Sequence, residues 1–178
     1  PLHIGMDFNV DPMSACVAQL EQDKIFFLDE VIIYGSNTDE MVQELRDRYG
    51  TKIPIFIYPD PASKQRKTSA GGRTDLSILQ NAGFKVKVKH KHPAIRDRVN
   101  AVNSKLKDSN GVRHIFVSHL CKIIVKGLTR QIYKENTNIP DIEDGFDHMN
   151  DSIGYMIDYI RPLTTQGIYS KQTRWTMK

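Results

Sequence analysis

Three apolar runs within residues 1–34, each closed by a short polar break, constrain this chain more than any other feature it carries. Leu2 to Phe8 reads as a buried strand. Ser14 to Leu20 and Ile25 to Tyr34 read as two more, joined by the turn Glu21-Gln22-Asp23-Lys24. Connections this short pair neighbouring strands antiparallel, so the chain opens on a β-meander.

The pattern then changes to alternating helices and strands. Asn37 or Thr38 is placed to cap a helix with Met41, Val42 and Leu45 at helical spacing and Gly50 at its end, and the strand Ile53 to Tyr58 follows. After Pro59-Asp60-Pro61, the stretch Ala62 to Gly72 lacks core periodicity and reads as a surface loop. Asp75 to Asn81 is a short helix, and Phe84 to Val88 alternates apolar residues with lysine as an edge strand does. Ile95, Val99, Val102 and Leu106 mark an amphipathic helix that stops near Asn110-Gly111. Ile115 to Ser118 is a short strand. Leu120 to Tyr133 and Phe146 to Ile160 are helices separated by the loop Lys134 to Gly145, and 161–178 is a polar tail. A meander followed by mixed helices and strands implies an α/β fold with a central mixed β-sheet flanked by α-helices.

At 178 residues, with 39% hydrophobic and 26% charged residues, the chain suits a single globular domain spanning 1–178. No apolar stretch approaches the roughly 20 residues of a membrane-spanning helix, which leaves no membrane partner to expect. Two cysteines, Cys16 and Cys121, give neither a disulfide framework nor a zinc cluster and point to a reducing cytoplasm. The first residue is Pro1, as expected of a piece of a longer polypeptide. The net charge of +4 is modest, so where the charges lie says more than their sum.

Three groups of acids stand where the pattern breaks. Asp7 ends the first strand, and Asp60 follows Ile55-Phe56-Ile57-Tyr58 between two prolines that stiffen the turn. Asp147 and Asp151 lie four apart, on one face of the closing helix, with His148 three before Asp151. Met149, Ile153, Met156, Ile157 and Ile160 supply the apolar stripe of that helix, and Asp144-Gly145 is its expected cap. Taken singly, each acid also reads as a turn former or a complement to the helix dipole. Taken together, carboxylates about 4 Å apart repel by about 4 kcal/mol at an effective dielectric near 20, so convergence demands cations. Oxygen donors favour Mg²⁺ or Mn²⁺, and two such ions are suited to phosphodiester hydrolysis.

Gly5-Met6-Asp7-Phe8-Asn9 with Asp11-Pro12, then Tyr58-Pro59-Asp60-Pro61-Ala62, then Asp147-His148-Met149-Asn150-Asp151-Ser152-Ile153-Gly154-Tyr155 occur in that order. This series resembles the nuclease domain of phage terminase large subunits, over nearly the whole chain up to about Tyr159. The resemblance implies an RNase H-like fold and an endonuclease that cuts double-stranded viral DNA concatemers during genome packaging. It implies Asp7, Asp60 and Asp151 as the catalytic acids around two Mg²⁺ or Mn²⁺ ions, with His148 and Asp147 as further ligands. It further implies a separate ATPase domain, a small terminase subunit and a portal or procapsid as partners, in the cytoplasm of a host cell. No GxxxxGK[ST] stretch occurs in the chain, so the ATPase is not encoded here.

Basic residues near the acids suggest a DNA path. Lys64, Arg66, Lys67 and Arg73 crowd the loop after Asp60, and Lys89 and Lys91 belong to a second group with Lys85, Lys87, Arg96, Arg98, His90 and His92. Backbone contacts with little sequence preference are expected of both, although edge lysines also guard against aggregation. Three other readings fit parts of the sequence. One is a junction resolvase or transposase-type nuclease of the same superfamily; another is an actin-like nucleotide-binding domain, which the Gly-x-Asp opening permits and the missing phosphate loop disfavours. The third is a basic DNA-binding module whose acids are structural.

Overall fold

A computed structural model describes residues 1–61, 73–137, 139–142 and 145–163. Its centre is a six-stranded mixed sheet in the order β5-β4-β1-β2-β3-β6. The meander forms as its pattern demands: β1 (Leu2–Asp7) pairs antiparallel with β2 (Met13–Glu21), and β2 with β3 (Lys24–Ile33). On the other side of β1 lies β4 (Ile55–Pro59), parallel to it, then β5 (Lys85–Val86), also parallel; β6 (Ile115–Val117) runs parallel to β3 at the opposite edge.

Each face of this sheet is covered. On one face α1 (Thr38–Tyr49) and α2 (Asp75–Asn81) bury Met41, Leu45 and Leu79 against Ile4, Met6, Val31 and Ile57. On the other, α3 (Ile95–Leu106), α4 (Lys122–Arg130) and α5 (Asp147–Ile160) enclose Phe27, Tyr58, Ile124, Met149, Ile153 and Met156. Strands such as β1 and β2, buried nearly throughout, need apolar residues on both sides, which is why their runs are continuous rather than alternating.

Two close approaches fix α5. A Cβ on Gly5 would stand 2.0 Å from the Ser152 carbonyl oxygen, so only glycine lets the helix lie directly on the first strand. A Cβ on Gly127 would meet Asn150 Oδ1 at 2.6 Å, and Asn150 Nδ2 donates to the Gly127 carbonyl at 3.1 Å and to Gln131 Oε1 at 2.8 Å. Helix α4 has no cap from its own N-terminus; Glu30 of β3 supplies one, accepting from the Ile123 and Ile124 amides at 2.8–3.0 Å.

Some boundaries differ from those expected. Asn37 caps α1 through a reciprocal bond with Glu40. The fourth strand begins at Ile55, because Pro54 has no amide hydrogen and its carbonyl accepts from Leu2 at 2.9 Å. The Phe84–Val88 edge strand shortens to two residues, although Lys87 still donates to the Ile57 carbonyl at 2.8 Å. Helix α4 stops at Arg130 rather than Tyr133, because Gln131 leaves the helical conformation and Tyr133 forms an isolated antiparallel bridge with Pro140. The cap of α5 is Phe146, without a side-chain bond; Asp144 lies outside the described residues, as do 62–72 and 164–178.

Candidate active site

The acids gather where β1, β4 and α5 meet. The Asp60 amide donates to the Met6 carbonyl at 3.0 Å, extending the parallel β1–β4 ladder by one bond and setting Asp60 beside Asp7 at adjoining strand ends. Gly5, two residues before Asp7, admits α5 to the sheet, and the turn of α5 carrying Asp147 to Asp151 thereby reaches the same end.

Asp7 is 8% exposed. Burial, with Asp151 and then Asp60 as like-charged neighbours, pushes its carboxyl up to about 6 against the opposing bond from His148. Burial likewise raises Asp151, with Asp147 and Asp60 adding to the rise and Arg98 opposing it. Asp7, Asp60, Asp147 and Asp151 therefore share one electrostatic environment. Among the described residues, no three donors of the His, Cys, Asp or Glu type already stand at the spacing of a metal centre. Each of the three principal acids instead engages a base.

Asp7 Oδ2 lies 3.1 Å from His148 Nδ1, and the Asn9 amide nitrogen lies 3.1 Å from His148 Nε2. The arrangement suits an Nδ1–H donor to the carboxylate and an Nε2 acceptor from Asn9. Asp147 Oδ2 stands 3.7 Å from the same Nδ1, and its buried Oδ1 has no hydrogen-bond partner. Asp60 Oδ1 is 3.2 Å from His92 Nε2, which also lies 3.2 Å from the Tyr155 hydroxyl. Asp151 is clasped by Arg98, with Nη1 to Oδ1 at 2.7 Å and Nη2 to Oδ2 at 3.3 Å. The guanidinium carbon stands 4.3 Å from the centre of the Tyr155 ring, whose phenol burial pushes above its usual range.

The donor chemistry fits a hard divalent cation: carboxylate oxygens with one imidazole, crowded enough to raise Asp7, and approached by bases of which His92 is half exposed. Beside the acids, Asp147 and Asp151 border a cleft of about 220 Å³ whose other walls include Val102, Leu106, Leu128 and Tyr133.

The sequence matches the Terminase RNaseH-like domain family over residues 4–159. This chain belongs to that family. No curated protein sequence matches it. Among solved structures, the large terminase of a thermophilic bacteriophage superposes with a TM-score of 0.69 at 15% identity over 89% of this chain. The match takes in 39% of that phage protein, so this chain spans about two fifths of its length. The nuclease domain of the SPP1 large terminase, solved with bound Mn, gives 0.56 at 16% identity over 88% of this chain and 85% of that one. The large terminase nuclease of thermophilic phage G20c, solved with bound magnesium, gives 0.62 at 16% identity over 88% and 80%. At such identities the likeness is one of fold, and the RNase H-like terminase fold expected from sequence is the fold observed.

Of the basic residues picked out in sequence, Lys64, Arg66 and Lys67 lie outside the described residues. Arg73 pairs with Asp39 at 3.1 Å, Lys91 is exposed, and Lys89 pairs with buried Asp158 at 2.6 Å. Arg98, grouped in sequence with the basic DNA path, is buried against Asp151, and the half-exposed His92 of the same group reaches Asp60. Arg98 follows Asp97 in a helical repeat whose buried side includes Ala101 and Val102; that periodicity was the available signal for its inward face.

Proposed function

We propose that this domain is a divalent-metal-dependent endodeoxyribonuclease that cuts double-stranded viral DNA concatemers during genome packaging, by two-metal-ion phosphodiester hydrolysis. The observation that carries the reading is the placement of Asp7, Asp60 and Asp151 together at one end of a terminase-family sheet. Mn and magnesium in the SPP1 and G20c relatives support the choice of ion.

Asp7, Asp60 and Asp151 would hold the ions, with His148 and Asp147 as further donors. Bound Mg²⁺ or Mn²⁺ supplies charge neutralisation and electrophilic activation at the phosphodiester. The residues of the chain do the rest. The β1–β4 ladder fixes Asp7 against Asp60, and burial excludes competing water from Asp7. The Asn9 amide holds the His148 ring toward Asp7.

Lys64, Arg66, Lys67, Arg73, Lys89 and Lys91 are the proposed DNA contacts, directed at the phosphate backbone. The proposed setting is a longer protein with an ATPase domain, working with a small terminase subunit and a portal or procapsid in the cytoplasm of the host. Nicking of supercoiled plasmid in Mn²⁺ tests the reading. Asp7→Asn, Asp60→Asn and Asp151→Asn, each verified as folded, should lose activity by more than about 100-fold. Retained activity in folded Asp60→Asn or Asp151→Asn overturns it, and a sharp preference for four-way junctions reassigns the substrate.

A further inference from the structure

Arg98 is 3% exposed, yet it carries a charge that is costly to bury unless it is paired and hydrogen-bonded. Its pairing is specific. Nη1 forms an ion pair with Asp151 Oδ1 at 2.7 Å and Nη2 donates to Oδ2 at 3.3 Å, an end-on approach that a planar fork permits and an ammonium does not. One face of the guanidinium covers the Tyr155 ring at 4.3 Å. The aliphatic stem packs closely on Gly154, where a Cβ would stand 3.4 Å from Arg98 Cβ. Tyr155 is braced in turn by its hydroxyl contact with His92 at 3.2 Å and by an edge-to-face ring contact.

The carboxylate so held is partly exposed, at 39% of its side chain. Left to itself, an aspartate at such a site exchanges between rotamers. A guanidinium that is itself packed on an aromatic ring and a glycine gives the carboxylate one plane. Arg98 is also too enclosed to meet a DNA phosphate, with both terminal nitrogens turned to Asp151.

We propose that Arg98 is a positioning residue that holds the Asp151 carboxylate in the orientation needed for metal binding and cleavage, and that it makes no contact with DNA. The inference rests on the nuclease reading above. Compared with wild type, Arg98→Met should bind Mn²⁺ about tenfold more weakly by titration calorimetry, as loss of a partner to a metal ligand does. In plasmid nicking its kcat should fall by about 100-fold, the scale of a small misplacement of a reacting group, with KM for DNA and its salt dependence unchanged. Arg98→Lys keeps the charge without the fork and should stay at least tenfold below wild type in kcat.

Unchanged or tighter Mn²⁺ binding in Arg98→Met overturns the proposal, as does a raised KM with a shallower salt dependence, the mark of a phosphate contact. If Arg98→Met folds poorly, a thermal-melting cycle with Asp151→Asn and the double variant decides the contact. The double variant should melt higher than the two single losses predict; additive losses overturn the clasp. A wild-type chain that binds Mn²⁺ without cutting DNA refutes the nuclease reading, while the calorimetric and melting comparisons still judge Arg98.

Discussion

Ser152 presents its backbone carbonyl to Gly5 at the place where a Cβ on that residue would stand, 2.0 Å away. Neither group has freedom to retreat: Gly5 is in mid-strand, paired with Cys16 and Tyr58, and Ser152 is fully buried in α5. Gly5→Ala should therefore force α5 from the sheet and destabilise the fold by about 3 kcal/mol or more, at the upper end of overpacking costs. Urea unfolding checks this, and a change below about 1 kcal/mol would show that the helix can shift at little cost.

The cap on α4 is borrowed from another element, which makes it easy to isolate. Glu30→Ala removes a carboxylate from amides at 2.8–3.0 Å and should cost about 1 to 2 kcal/mol, the range of N-cap losses. The midpoint of denaturation should fall with little change in the slope.

Asp7 predicts how stability follows pH. Its carboxyl stands at about 6 in the fold against 3.8 unfolded, so the folded state binds the proton more tightly. The stability this contributes is full below about 4, declines as pH rises through 6, and is gone above it, an effect on the order of 3 kcal/mol. Asp7→Asn should accordingly gain on wild type between pH 4 and pH 7 in parallel unfolding curves. Saturating Mn²⁺ should shrink that gain by stabilising wild type at the higher pH. A constant difference across the range would remove the cause assigned to the shift.

Two neighbouring lysines should behave differently. Lys89→Ala leaves Asp158, 5% exposed, without its 2.6 Å partner and should lower stability by about 1 to 3 kcal/mol. Exposed Lys91 should leave stability within about 0.5 kcal/mol when changed to alanine. If it contacts DNA, the change weakens binding and flattens the salt dependence. Melting curves and DNA titration at several salt concentrations separate the two effects.

The meander, the mixed sheet and the three acid positions were legible because each leaves a local mark: an apolar run, a proline-bounded turn, or an i, i+4 pair. His148, the partner of Asp7, shares the mark of the closing helix, whereas the partners of Asp60 and Asp151 left none. His92 and Arg98 read as members of a basic surface because charge alone does not say which way a side chain faces, and their targets lie far along the chain, at Asp60 and Asp151. Glu30 was invisible for the same reason: its role depends on α4, 93 residues away in sequence. The end of α4 was misplaced because helical periodicity through Ile132 and Tyr133 gave no warning of the bridge to Pro140.

The bond from the Asp60 amide to the Met6 carbonyl has a bearing on how far this centre can deform. Adjoining strands lie roughly 4.8 Å apart because peptide groups set that distance. The gap between two of the acid-bearing backbones is thus gauged by the ladder itself. Substitutions in surrounding loops can change what approaches the pair, whereas widening the pair requires unzipping the central strands of the domain.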